Sequence, residues 1–210
     1  EEDPVADRTE TLREEGRVMK FHLAYNSDSH YLLPTFVSAA SALSHASDRA
    51  RIVIDVLDCG IPDGEWDEWF GRLRSLFPDV GGIVRHRVDM NRIRGFREWK
   101  GSVATYGRIL TPEILGDCDM CLFVDGDTLF TADPLELYYA YDDRCWIQGS
   151  IDDPCSEERR RLYAGYGLTV PDDYVCCGLM LMNLRALRTN GFVEKCLDFL
   201  DRYKVLTSVD

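Results

Sequence analysis

The chain has 210 residues, 45% of them hydrophobic and 29% charged, enough for one sizeable core. Its 24 Lys and Arg face 37 Asp and Glu, a formal net charge of -13 that excludes nucleic acid or an anionic membrane gripped through a general basic surface. No apolar run reaches the roughly 18 residues of a membrane span and no charged-then-apolar leader opens the chain, so a cytoplasmic protein is expected, or a Golgi or membrane-peripheral one if the natural chain is longer.

Residues 1–18 are almost entirely polar and are expected to form an N-terminal arm outside the fold, leaving residues 19–210 as one domain. Short β-rich apolar runs then alternate with stretches of helical period. Lys20–Tyr25 reads as a strand followed by the polar Asn26-Ser27-Asp28, and Leu32–His45 as a helix. Arg51–Asp58 reads as a strand, Gly64–Phe77 as a helix and Gly82–Asp89 as a strand. Val103–Leu115 is helical in period, and Met120–Val124 is a strand running into Asp125-Gly126-Asp127. Cys145–Gly149 is a strand followed by Ser150-Ile151-Asp152, with a helix over Ser156–Tyr163, a strand over Val175–Asn183 and a helix over Gly191–Tyr203. In that last helix Val193, Cys196, Leu197, Leu200 and Tyr203 share one face. The alternation predicts an α/β fold, and several strands are too apolar to be half exposed, so helices should cover a mostly parallel sheet on both faces.

The eight Cys residues, at 59, 118, 121, 145, 155, 176, 177 and 196, fall mostly inside apolar stretches and read as buried thiols in a reducing compartment. Cys118 and Cys121 form a lone C-x-x-C with no second pair or His cluster at ligand spacing, which argues against zinc.

In open sheets ligands gather where strands end. Asp125 and Asp127 stand two apart after a buried strand, so both carboxylates point the same way, and Gly126 between them admits a ligand or a backbone closely. Such a pair repels unless a hard divalent cation sits between them, and the cation would bridge to the phosphates of a nucleotide. Asp-Gly is also a common turn dipeptide, but the strongly apolar run before it favours the ligand reading. Haloacid-dehalogenase-type phosphatases use an Asp-x-Asp too, with Thr or Val four residues past the first Asp. Here that position is Leu129, and the motif stands mid-chain.

The order of motifs resembles glycosyltransferase family 8. Leu23-Ala24-Tyr25-Asn26-Ser27-Asp28 with Tyr31 resembles the family's opening strand and the loop that holds uracil and ribose. Thr105-Tyr106-Gly107-Arg108 resembles the Y-x-R whose Arg reaches the donor phosphates or sugar, and Asp125-Gly126-Asp127 the manganese-binding Asp-x-Asp. Gly149-Ser150-Ile151-Asp152 resembles the segment giving an acid to the donor-sugar hydroxyls, and Cys177-Gly178-Leu179-Met180-Leu181-Met182-Asn183-Leu184 the N-x-G-(apolar)-N-L signature beneath the sugar.

The resemblance implies a GT-A type fold and a retaining transfer of a hexose, glucose or galactose, from a UDP-sugar. It implies Mn²⁺ or Mg²⁺ on Asp125 and Asp127, with Ala24, Asn26, Asp28, Tyr31, Arg108, Gly126, Cys177 and Gly178 around the donor. Asp152, and Asp210 as a candidate nucleophile, would serve the sugar. The acceptor, a carbohydrate, lipid-linked glycan or protein, is not legible. Cys176 stands where the family has Asn, and Asn26 where it often has an acid. The family's third metal ligand is a C-terminal His beyond a motif that this chain enters only at Asp210, so a missing C-terminal segment is expected. None of His22, His30, His45 and His86 fits that context, and each reads as structural or exposed. A catalytically degenerate nucleotide-sugar-binding module is the alternative function. A sugar-nucleotide pyrophosphorylase would need a Gly-rich loop with Arg and Lys where Asn26-Ser27-Asp28-Ser29-His30 stands.

Overall fold

The computed structural model describes residues 19–98, 101–151, 157–169 and 175–203. Within them the strands are β1 (Phe21–Ser27), β2 (Ile52–Asp58), β3 (Gly82–Arg87), β4 (Met120–Val124), β5 (Ile147–Ile151) and β6 (Val175–Asn183). They form a sheet in the order β3-β2-β1-β4-β6-β5. β3, β2, β1 and β4 run parallel, whereas β6 enters antiparallel to both β4 and β5. The helices are α1 (Leu32–His45), α2 (Asp63–Leu76), α3 (Gly107–Ile114), α4 (Pro134–Tyr139), α5 (Glu157–Gly165), α6 (Leu184–Thr189) and α7 (Phe192–Arg202).

Side chains alternate across each strand, so a single apolar run feeds two cores. Phe21, Leu23 and Tyr25 of β1, Ile52, Ile54 and Val56 of β2, and Leu122 and Val124 of β4 face Leu32, Ala39 and Leu43 of α1 and Phe70 and Leu73 of α2. On the opposite face Ala24, Leu57, Cys121, Phe123, Met180 and Met182 meet Leu110 of α3, Leu184 and Leu187 of α6, and Val193 and Leu200 of α7. All seven positions of β2 are buried, as a central parallel strand covered on both sides requires. Each fully buried Leu or Phe contributes about 1.5–3 kcal/mol.

Two acids of β2 lie inside this apolar frame and have fixed partners. Asp58 accepts from Arg85 Nε at 2.8 Å and from the N–H groups of Gly60 and Ile61 at 2.8 and 2.6 Å. Asp55, 2% exposed, accepts from His22 Nδ1 and His86 Nε2, each at 2.8 Å. Burial alone would lower the His22 pKa, but its bonds to Asp55 and to the Cys118 thiol prevail and push it up to about 9. Burial likewise opposes the Asp55 carboxylate, and the two imidazoles still hold it below the ordinary value. His45 bonds the Ser41 carbonyl at 2.9 Å, and the His30 side chain is 90% exposed.

The expected elements are all present where the chain is described, with shifted ends. β1 extends through Asn26 and Ser27, and β5 runs to Ile151, so Ser150 and Ile151 lie in the strand rather than after it. The third helical stretch divides into a 3-10 turn over Ala104–Tyr106 and α3. α4 and α6 were not expected: each has six residues, too few to show a helical period. Both are started by capping side chains, Asp133 accepting from Leu135 N at 3.0 Å and Asn183 accepting from Ala186 N at 2.9 Å. No disulfide joins the described cysteines, and Cys145 is exposed rather than buried. Residues 1–18, Asp152, Cys155 and Asp210 lie outside the described residues. No helix of the described residues is long and apolar enough to cross a membrane.

Candidate functional site

β1 and β4 are neighbours in register, Leu23 opposite Leu122 and Ala24 opposite Phe123, so their carboxyl ends open side by side. Asp125-Gly126-Asp127 leaves β4 beside the start of α1. The Asp125 N–H donates to the Gly178 carbonyl of β6 at 2.9 Å, and Thr128 N closes the turn on the Asp125 carbonyl at 3.1 Å. Gly126 is buried against α1, where a Cβ would come 2.6 Å from Thr35 Oγ1 and 3.3 Å from Tyr31 Cδ1. Only glycine lets the acidic turn lie this close to the helix.

An aromatic side chain holds one acid and a cationic one holds the other. Tyr31 Oη donates to Asp127 Oδ2 at 3.2 Å. Burial raises the Tyr31 pKa, and the fields of Asp127, Asp125 and Asp28 raise it further, so three carboxylates surround one phenol. Arg108 Nη2 donates to Asp125 Oδ1 at 3.0 Å, in a pair whose side chains are 13% and 31% exposed. Arg108 is itself braced: Nε donates to the Thr105 carbonyl at 3.1 Å, Nη2 to Thr105 Oγ1 at 3.2 Å and Nη1 to the Cys177 carbonyl at 3.3 Å. Its guanidinium also lies 5.6 Å from the centre of the Phe123 ring. Gly178 leaves the space Asp125 needs, since a Cβ there would stand 3.2 Å from Asp125 Oδ2 and 3.6 Å from Cys176 Sγ.

The structure thus brings Tyr31, Arg108, Asp125, Gly126, Asp127 and Gly178 together. Ala24 is fully buried inside β1 among the residues of the second core, so its side chain has no surface to offer a ligand. Cys177 meets the site through its carbonyl, which accepts from Arg108, while its side chain packs against that same core. Asn26 and Asp28 turn their polar atoms toward the segment before α3. Asn183 is 5% exposed at the far end of β6 and caps α6, a scaffold role. Thr35 and Ser102 are contributors that the sequence does not single out, and Thr105, quoted within its motif, gains a role in bracing Arg108, since Ser and Thr carry no spacing signal of their own. The donors near the two acids are oxygens, which suit a hard divalent cation. No three His, Cys, Asp or Glu side chains among the described residues form a metal-holding group by themselves.

A largely parallel sheet in which β6 runs antiparallel between β4 and β5, with acids where β4 ends, is the arrangement of a GT-A type fold. Among solved structures, the galactosyltransferase LgtC in complex with donor and acceptor sugar analogues is similar at 26% identity and a TM-score of 0.75, covering 90% of this chain and 67% of that one. The bifunctional glycosyltransferase WbbM is similar at 18% identity and a TM-score of 0.68, covering 87% of this chain and 34% of that one. Mouse xyloside xylosyltransferase 1 gives 14% identity and a TM-score of 0.62, with 88% and 74% covered. No curated protein matches the chain significantly. The profile of Glycosyl transferase family 8 matches residues 22–210, and the chain belongs to that family.

Proposed function

We propose that the protein transfers a hexose, glucose or galactose, from a UDP-sugar to a carbohydrate, lipid-linked glycan or protein acceptor, with retention of anomeric configuration. The observation that carries this reading is the gathering of Asp125, Asp127, Tyr31 and Arg108 where β1 and β4 end. Asp125 and Asp127 would hold Mn²⁺ or Mg²⁺ through their carboxylate oxygens. Held by these two residues, such a cation would supply positive charge for the diphosphate leaving group. Arg108 keeps Asp125 oriented and adds a fixed positive charge beside the same phosphates. Tyr31 orients Asp127 through its hydroxyl. Asp152, following β5, would accept hydrogen bonds from the donor-sugar hydroxyls, and Asp210 is the candidate nucleophile for a covalent route.

Calorimetry with UDP and Mn²⁺, followed by a hydrolysis assay on UDP-glucose and UDP-galactose, tests the reading. Metal-dependent binding with slow hydrolysis is expected, and Asp127→Asn should abolish both. Unchanged turnover in that variant would remove the metal assignment. Binding with no turnover would identify a nucleotide-sugar-binding module instead.

A further inference from the structure

Two loops far apart in sequence are tied together beneath the acids. Asp28 Oδ1 accepts the N–H groups of His30 and Tyr31 at 3.0 and 3.1 Å, while Oδ2 accepts the Ser102 hydroxyl at 2.7 Å. Ser102 Oγ in turn accepts from Ala104 N at 3.0 Å, and Asn26 Nδ2 donates to the Ala104 carbonyl at 2.7 Å. A Cβ on Gly107 would lie 3.3 Å from that of Asn26 and 3.0 Å from Cys59 Sγ, so the two segments also pack. Each carries one holder of the acidic pair. The loop after β1 carries Tyr31, which holds Asp127, and the segment before α3 leads to Arg108, which holds Asp125.

We infer that Ser102 is a positioning residue for the metal site: its hydroxyl, bonded to Asp28, sets the separation of Tyr31 from Arg108 and so of the carboxylates they hold. The inference rests on the proposed function and names a part of it that spacing in the sequence does not show. Asp28, with three donors on its carboxylate and a side chain 14% exposed, belongs to this brace. A short hydroxyl-to-carboxylate bond is a stiff link, and losing it lets the Tyr31 loop relax; misplacements of about 1 Å at a ligand site are costly.

The test compares wild type, Ser102→Ala, Ser102→Thr, Tyr31→Phe and the Ser102→Ala/Tyr31→Phe double variant by calorimetry with UDP, at increasing Mn²⁺ and in chelator, alongside melting curves. Ser102→Ala should weaken Mn²⁺-dependent UDP binding about five- to tenfold, the effect of one lost hydrogen bond. Its binding in chelator and its melting temperature should stay at wild-type values, and Ser102→Thr should keep the wild-type Mn²⁺ dependence. The double variant should lose less than the product of the two single effects, because both act through one chain of contacts. Wild-type Mn²⁺ dependence in Ser102→Ala, an equal loss in Ser102→Thr, or fully multiplicative effects would overturn the inference. If wild type itself shows no Mn²⁺-dependent UDP binding, the proposed function fails first and takes this inference with it.

Discussion

Two groups of acids in this molecule sit on the same sheet and behave differently. Asp55 lies in the middle of β2, 2% exposed, with both oxygens taken by imidazoles that the neighbouring strands β1 and β3 supply. Asp125 and Asp127 lie just past the end of β4, the first half-buried and the second exposed, with Arg108 on one and Tyr31 on the other. A carboxylate enclosed by its partners is a part of the framework. A pair of carboxylates past the end of a strand, one beside a guanidinium and the other beside a phenol, keeps contact with solution. Burial and the source of the partners separate the two cases, since residue type alone does not.

The sharpest break in that comparison is Asp127→Asn. Metal-dependent hydrolysis of UDP-sugar should fall by about a thousandfold, as for loss of a group that steadies developing charge, while the melting temperature holds. Asp55→Asn should do the reverse. It strands two imidazoles in the sheet and should cost about 3 kcal/mol, a drop of roughly 6–12 °C in melting temperature, with Mn²⁺-dependent UDP binding intact below the transition.

The pH dependence of melting sharpens the contrast. The folded pKa of His22 is raised to about 9 from the 6.5 of an ordinary histidine, so its pairing with Asp55 stabilises fully below pH 6.5 and is lost as pH rises through 9. Because the His22 side chain is 23% exposed, the loss should be about 2 kcal/mol, and it should vanish in His22→Gln. Smaller still is Gly126→Ala, whose methyl meets Thr35 Oγ1 at 2.6 Å. It should cost about 1–2 kcal/mol of stability and weaken UDP binding, both read from the same calorimetric samples.

Much of this was legible beforehand. Strand and helix periods gave the α/β alternation, with β4 and β6 at their observed ends, because runs such as Met120–Val124 are apolar enough to be unambiguous. The acidic pair was legible because nothing in core packing asks for two carboxylates after such a run. Other features had no local trace. The six-residue helices α4 and α6 depend on single caps, Asp133 and Asn183, rather than on a repeating face. Asn26 and Ser27 read as loop residues because β1 is longer than its apolar run: both stay in the strand through pairing with Leu57 and Asp58. The bond from Ser102 to Asp28 spans 74 positions, and only the fold brings such residues together.

The register of β4 against β6 decides which residue meets the first acid. Val124 sits opposite Leu179, which leaves Gly178 as the residue next to Asp125. Slide β6 by a single position and either Leu179 or Cys177 would confront the acid, with every side chain of the strand turned to the wrong face. The count of residues between Gly178 and Asn183 is therefore as much a determinant of the acidic pocket as any side chain in it. Length changes should be better tolerated at the Asn190-Gly191 turn, between α6 and α7, and ruinous within β6 itself.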